Sequence, residues 1–131
     1  MIKAAASEEH QRLVKALIDQ FTKDGFRILE AAYEEYDEPK KTGRHEPDIR
    51  AYNDSEELVI IGEAKTCDDL SSETTKEQFI DFSNRSMSKG KSESRAVPFH
   101  IITPKSCSDA LLSKLKELGL EGKPNITPWS L

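Results

Sequence analysis

The chain has 131 residues, of which 36% are hydrophobic and 33% are charged, and its formal net charge is −5. This length suits one domain, with a core large enough to need neither disulfides nor a structural metal. An acidic chain disfavours a general nucleic-acid coat, which would be basic, but it does not exclude an enzyme whose acidic residues hold cations. We therefore expect a single domain over residues 1–131.

Two sequence features indicate where the protein works. The longest strongly apolar run, Leu58 to Ile61, is too short to span a bilayer, and residues 1–9 lack the apolar core of a signal peptide. Cys67 and Cys107 are far apart and form no CxxC pair, so two free thiols in a reducing cytosol are favoured over a lone disulfide. The sequence thus predicts a cytoplasmic protein without membrane association.

The predicted elements begin with an amphipathic helix at residues 7–24. Ser7 and the two acids after it favour a helix start, and Gly25 favours a stop. Apolar residues recur between them at helical spacing: Leu13, Val14, Leu17, Ile18 and Phe21. Residues 26–33 favour a strand, although part of this segment would also suit a helix, and the polar stretch 34–46 predicts a loop.

A hairpin follows, with strands at residues 47–53 and 58–66 joined by the polar loop 54–57. Pro47 begins the first strand, where a missing N–H is tolerated. The second strand starts apolar on both faces, as a central strand covered on both sides would, and then one face ends in two charges.

The second half of the chain predicts a helix at 73–87, a mobile linker at 88–94 and a strand at 97–103. A last helix starts at Ser106 or Ser108 and stops at Gly119, and the tail through Trp129 is irregular. This order of elements predicts an α/β fold around a small sheet.

The hairpin brings two carboxylates together. If the loop is 54–57, the simplest register sets Asp48 directly opposite Glu63. Their Cβ atoms would then be roughly 4.5–5.5 Å apart, and Lys65 would share the face of Glu63. Two like charges at the edge of an apolar core are unfavourable unless a cation neutralises them.

A divalent cation is the expected neutralising group. Oxygen ligands select a hard ion, so we expect Mg²⁺ or Mn²⁺ on Asp48 and Glu63, with the carbonyl of Ala64 as a further ligand. Lys65 is placed to hold an attacking water or a phosphate. Because a bound metal lowers the pKa of water and offsets charge on phosphorus, these parts suit hydrolysis of a phosphodiester.

Pro47-Asp48 followed by Glu63-Ala64-Lys65 resembles the signature of the PD-(D/E)xK nuclease superfamily, which includes restriction endonucleases and archaeal-type Holliday-junction resolvases. The resemblance spans residues 7–103. It implies a restriction-endonuclease-like αβββαβ core, that is, a small mixed central sheet flanked by helices, here followed by a C-terminal helix. It also implies a Mg²⁺-dependent nuclease with DNA as the expected substrate, RNA remaining open, and it allows a homodimer because resolvases act as dimers.

Two more family features match by position. Many members carry an acid near the metal on the first helix, and Glu9 borders the apolar stripe there whereas Glu8 points away. His10 is nearer the centre of the stripe and could substitute for that acid. Gln78 matches a glutamine that several members carry on the helix after the lysine. The resemblance thus implies a catalytic set of Asp48, Glu63, Lys65 and Gln78, and Glu9 as an additional metal ligand.

Two segments, 39–50 and 85–95, hold more basic than acidic residues and are candidates for contacts with phosphate. The residues chosen as candidate contacts are Lys40, Lys41, Arg44, Arg85, Lys89 and Lys91. Ordinary solvated loops explain these segments equally well. Two rival functions also remain: a non-catalytic module of nuclease fold that binds DNA or a protein, and an unrelated acidic interaction protein, which would require a different strand register.

Overall fold

A five-stranded sheet with helices on both faces organises the chain, and the computed structural model describes residues 7–131 of it. The strands lie in the order β1-β2-β3-β4-β5. The elements are α1 Glu8–Lys23, β1 Arg27–Ala31, β2 Ile49–Asn53, β3 Leu58–Ala64, α2 Glu73–Ser83, β4 Phe99–Thr103, α3 Ser108–Glu117 and β5 Ile126–Ser130. Short 3₁₀ turns occupy Asp68–Ser71 and Lys105–Cys107. The predicted mixed α/β class is confirmed.

Helix α1 forms as the sequence predicts. The Ser7 hydroxyl accepts a hydrogen bond from the backbone N–H of His10 over 3.0 Å, which satisfies one of the free donors at the helix start. The chain leaves the helix through Gly25, whose φ of +89° favours glycine. The five apolar residues of the predicted stripe are all buried.

The hairpin register is also confirmed. β2 and β3 pair antiparallel from Asn53 opposite Leu58 to Ile49 opposite Gly62. β1 joins β2 antiparallel, whereas β4 and β5 continue the sheet parallel to β3. β3 is therefore the central strand, and six of its seven residues are buried.

The sheet separates two apolar clusters. The first lies under α1 and includes Leu13, Val14, Leu17, Ile18, Phe21, Ala31, Ile49, Ala51, Ile60, Ala64 and Ile102. The second lies under α2 and α3 and includes Ile61, Leu70, Phe79, Phe82, Val97, Phe99, Ile101, Cys107, Leu111, Leu115 and Leu120. Since β3 contributes to both clusters, its two faces have to be apolar, as its sequence indicated.

The tail differs from its prediction, because residues 126–130 form β5 and not an irregular segment. The indole N–H of Trp129 donates to Nδ1 of His100 over 2.8 Å, and the two rings stack. These contacts fix the tail against β4. Pro128 removes an N–H on the open side of this edge strand, where proline is tolerated. The strand was not predicted because it is only five residues long and contains a proline.

The segment predicted as a mobile linker is a turn with defined contacts. Residues 86 and 96 form a bridge, and the turn between them packs on the β2–β3 loop. Ser92 is buried and donates to the carbonyl of Glu56, and the Lys91 N–H donates to the Glu57 carboxylate over 3.0 Å. The polar side chains and backbone of this turn make these contacts with another loop. The preceding helix, α2, ends at Ser83 and not at Met87 as predicted.

Cys67 and Cys107 form a disulfide, so the predicted free thiols are wrong. Parallel strands carry the chain to the same edge of a sheet, and the two cysteines follow the ends of β3 and β4. Their Cα atoms are 5.7 Å apart although the cysteines are separated by 40 residues in sequence. The pairing removes the observation on which the prediction of a reducing cytosol depended. Within residues 7–131, no helix is long and apolar enough to cross a membrane.

Candidate active site

The predicted pair of acids lies where the β2–β3 hairpin ends. Asp48 precedes the first residue of β2, and Glu63 is the penultimate residue of β3. The backbone N–H of Asp48 donates to Oε1 of Glu63 over 2.8 Å. The two acids therefore meet just beyond the last ladder pair, Ile49 opposite Gly62.

The Asp48 carboxylate is held from two sides. Its Oδ2 accepts the backbone N–H of Ala64 over 2.8 Å and contacts Nε2 of His10 at 3.2 Å. The Asp48 carbonyl accepts the N–H of Ala32 over 2.7 Å, which ties the residue to the end of β1. Asp48 is thus fixed at the edge of the sheet, with its side chain largely buried between β3 and α1.

Glu63 is a buried acid. Its side chain is 2% exposed, and Oε2 lies 3.3 Å from the Lys65 ammonium. Burial raises the pKa of Glu63 well above the ordinary 4.5, the nearby charge of Asp48 raises it further, and Lys65 offsets only part of this effect. A further positive charge beside Glu63 would favour its ionised form.

Lys65 is buried with its ammonium between two oxygens. Nζ donates to Oε1 of Gln78 over 2.5 Å and lies beside Glu63. The strand fixes the backbone of Lys65, because its N–H donates to the Ile102 carbonyl of β4 over 3.0 Å. The Ser72 hydroxyl caps α2, the helix that presents Gln78 to the lysine. The structure thus brings together all four predicted catalytic residues.

On α1 the residue that reaches the site is His10 and not Glu9. Glu9 is exposed and lines a groove with Tyr33. His10 contacts Asp48, and this hydrogen bond raises the pKa of the imidazole against the opposing effect of burial. Nδ1 of His10 is buried and, among the residues that the structure describes, meets no hydrogen-bond partner. The alternative that the sequence left open, a histidine in place of the helix acid, is therefore the one that the geometry favours.

The donor chemistry fits a divalent cation. The carbonyl of Ala64 lies at the end of β3, beyond the last pair of the β2–β3 ladder. This carbonyl and the carboxylates of Asp48 and Glu63 are hard oxygen donors. Over residues 7–131, no three acidic, histidine or cysteine side chains are already spaced to ligate one ion. In this arrangement each carboxylate instead accepts a backbone N–H, so binding requires these side chains to turn towards the ion.

The six predicted phosphate-contacting cations fall into two groups. Lys40, Lys41 and Arg44 are exposed on the loop that leads into Asp48. Lys89 and Lys91 lie on the turn that packs at the β2–β3 loop, about five residues of strand or roughly 17 Å from the acids. There Lys89 is exposed, and the Lys91 ammonium donates to a carbonyl of the β2–β3 loop. Arg85 instead pairs with Asp81 on α2 and lies beside Gly43, next to the loop of the first group. Lys89 and Lys91 are therefore far from the site.

Sequence reasoning missed the contacts that hold this loop. His45 donates to Asp81 over 3.1 Å through Nδ1, and the N–H of Arg44 donates to the same carboxylate over 3.1 Å. Gly43, at φ +73°, was the available signal, because it marks a tight turn immediately before the motif. A turn alone does not reveal the helix on which it packs.

Comparisons with protein-family models, with curated proteins and with solved structures found no match to this chain.

Proposed function

We propose that the protein is a divalent-metal-dependent nuclease of the PD-(D/E)xK type, with Mg²⁺ or Mn²⁺ as its metal and DNA as the expected substrate. The observation that carries the proposal is the meeting of Asp48, Glu63 and Lys65 at the end of a buried hairpin. An acid pair beside a buried ammonium is costly to fold, and a phosphodiester with its cation supplies both charges that would offset it.

The arrangement of elements supports a restriction-endonuclease-like core. The chain runs helix, three antiparallel strands, helix and then a strand parallel to the third, which is the αβββαβ order of that core. The motif lies at the start of the second strand, β2, and at the end of the third, β3. Two elements follow this core: the helix α3, and the strand β5, which extends the sheet by one strand.

The roles of the residues follow from their contacts. Asp48, Glu63 and the Ala64 carbonyl would hold the cation, which supplies charge for the phosphate oxygens and lowers the pKa of an attacking water. Lys65 would donate to a phosphate oxygen or to that water. Gln78 orients the lysine through its 2.5 Å contact, since an amide oxygen accepts from an ammonium.

His10 shapes the choice of metal under this proposal. Its Nε2 lies 3.2 Å from the Asp48 carboxylate, within reach of an ion held there. An imidazole beside two carboxylates favours Mn²⁺ over Mg²⁺, because Mg²⁺ prefers oxygen ligands alone. Either metal would serve, with tighter binding of Mn²⁺.

The nearby cations supply the expected contacts with nucleic acid. Lys40, Lys41 and Arg44 would meet phosphates next to the bond that is cut, because their loop leads into Asp48. These contacts depend on backbone charge and carry no base specificity. They suit DNA and RNA alike, and a second copy of the chain is not required for them.

The test is cleavage of supercoiled, linear, single-stranded and branched DNA and of RNA, with Mn²⁺, Mg²⁺ or EDTA. Cleavage should need metal, and Lys65→Met should reduce its rate on the order of 10²-fold or more, because a charge that stabilises the transition state is lost while the buried stem is kept. Lys116→Met, on the exposed side of α3, is the matched control and should cut normally. Absence of metal-dependent cleavage on every substrate would end the enzyme proposal.

A non-catalytic module that binds DNA or a protein is the second candidate. It is favoured by the hydrogen bonds that satisfy both carboxylates without a metal, from the N–H groups of Ala64 and Asp48. Calorimetric titration with Mn²⁺ separates the two candidates. A binding module would give no heat that depends on Glu63.

A further inference from the structure

A carboxylate outside the proposed site ties two parts of that site together. Asp81 lies on α2, three residues after Gln78, and its side chain is 8% exposed. It accepts the N–H of Arg44 and Nδ1 of His45, each over 3.1 Å, and its other oxygen accepts Nη2 of Arg85 over 2.7 Å. An acid whose side chain is so little exposed and accepts from three residues is a fixed point to which the loop is attached.

The attached loop is the one that enters the metal-binding strand. Thr42 and His45 bridge to close a tight turn at Gly43, and Asp48 follows three residues later. The turn touches the acid so closely that a Cβ on Gly43 would lie 2.7 Å from Oδ2 of Asp81. The edge of the His45 ring also packs on Phe82, with ring centroids 6.1 Å apart.

One helix therefore contacts both halves of the site. Through Gln78 it holds the Lys65 ammonium, and through Asp81, one turn later, it holds the loop that leads to Asp48. Neither contact involves the metal-binding oxygens. We propose that Asp81 is a positioning residue that sets Asp48 and Lys65 at a fixed separation through this turn of α2, an inference that rests on the proposed metal-dependent function.

Asp81 touches neither the proposed cation nor the reacting phosphate, so its loss should act through geometry. Outer partners of metal ligands typically change metal affinity by 10–100-fold. Asp81 contacts the loop that leads to Asp48 and not Asp48 itself. We therefore expect Asp81→Asn to weaken Mn²⁺ binding by about tenfold, at the lower end of that range. The same loop carries the exposed Lys40, Lys41 and Arg44, so the variant should also raise KM for nucleic acid more than it lowers kcat.

Paired variants of the turn separate positioning from general stability. His45→Ala removes the donor to Asp81, whereas His45→Asn offers an amide N–H at nearly the same place as Nδ1 and should restore binding. Gly43→Ala should behave like Asp81→Asn, because the added methyl group would displace the carboxylate. Asp19→Asn, in an exposed pair with Lys15 on α1, is the control that should change nothing.

The experiment combines Mn²⁺ calorimetry with amide hydrogen exchange on the whole chain, far below the melting temperature. We expect Asp81→Asn to lose protection at the amides of Arg44 and Asp48 and to bind Mn²⁺ about tenfold more weakly, while His45→Asn approaches wild type. Wild-type Mn²⁺ affinity with normal protection at Asp48 in Asp81→Asn would overturn the inference and leave the proposed function standing. If the wild type binds no Mn²⁺, the proposed function fails, and the exchange at Asp48 alone decides whether Asp81 positions that strand.

Discussion

Replacing Glu63 by glutamine should stabilise the metal-free protein and abolish its response to metal. Glutamine keeps the size of the side chain and an oxygen that can accept the Asp48 N–H, which donates over 2.8 Å in the wild type. It removes a carboxyl that is 2% exposed and whose pKa burial raises well above 4.5. A raised pKa means that the fold favours the neutral form of this group, which glutamine imitates.

The sign and size of the effect follow from proton linkage. Between pH 4.5 and the raised pKa the folded state binds more protons than the unfolded chain, so the stability of the wild type falls as the pH rises through that window. Glutamine has no such dependence. We expect Glu63→Gln to be more stable than wild type by about 1–3 kcal/mol above the window and by less at its acid end, the range for a buried polar group with incomplete compensation.

Bound metal should offset the stability advantage of the variant. A ligand that binds only the folded state adds RT ln(1 + [L]/Kd), which is about 2.7 kcal/mol at a hundred times Kd. Mn²⁺ should therefore stabilise the wild type by about that much and Glu63→Gln by much less. In EDTA the variant is the more stable protein, and in saturating Mn²⁺ it loses that advantage.

Urea unfolding followed by the fluorescence of Trp129, the only tryptophan, measures both effects at about pH 5 and about pH 8, with EDTA or with Mn²⁺. Glu121→Gln, on an exposed turn after α3, controls for the loss of one negative charge. Equal stabilisation of wild type and Glu63→Gln by Mn²⁺ would refute the metal site. A variant less stable than wild type in EDTA at both pH values would refute the argument about burial.

Three further outcomes concern side chains outside the site. Burial lowers the pKa of His100 from 6.5 to about 4, so its contribution to stability should be complete above pH 6.5 and fall by up to about 3 kcal/mol as the pH drops towards 4. Urea midpoints of wild type and His100→Gln across this range test that slope, which the variant should lack. Reduction of the Cys67–Cys107 disulfide, at a sequence separation of 40, should cost up to about 4 kcal/mol by urea unfolding, and a double serine variant should not respond to dithiothreitol. Gly62→Ala would place a methyl group 2.9 Å from the Leu17 side chain, so its urea midpoint should fall by the equivalent of about 1–3 kcal/mol, and an unchanged midpoint would contradict this close packing.

The parts of the fold that local pattern determines were predictable. Helix α1 follows from a cap, a stop and one apolar stripe, and the hairpin follows from two strand-like runs around a four-residue loop. Asp48 and Glu63 belong to that same hairpin, so their pairing depends only on its register. This is why the acids could be placed from sequence without knowledge of the rest of the chain.

The parts that depend on distant segments were not predictable in this way. The disulfide requires β3 and β4 to be parallel neighbours, which no local signal near Cys67 or Cys107 shows. The turn at residues 86–96 has a polar composition, which is typical of a mobile segment. Its polar side chains instead bind backbone groups of another loop, which the composition alone does not show. The edge strand β5 contains a proline, which weakens its strand pattern while suiting the edge.

His10 shows how local sequence pattern and contacts between distant segments combine. The helical wheel placed it nearer the apolar stripe than Glu9, but only the approach of α1 to the end of β2 brings its Nε2 to 3.2 Å from Asp48. A stable core would be served as well by an apolar residue there, since a half-buried imidazole whose Nδ1 meets no partner within residues 7–131 costs free energy. Such a cost beside a buried acid is typical of positions kept for chemistry, which supports the proposed metal site. His10→Leu should therefore leave the fold intact or more stable while weakening Mn²⁺ binding, and a variant that unfolds without any change in metal affinity would show that the imidazole serves packing alone.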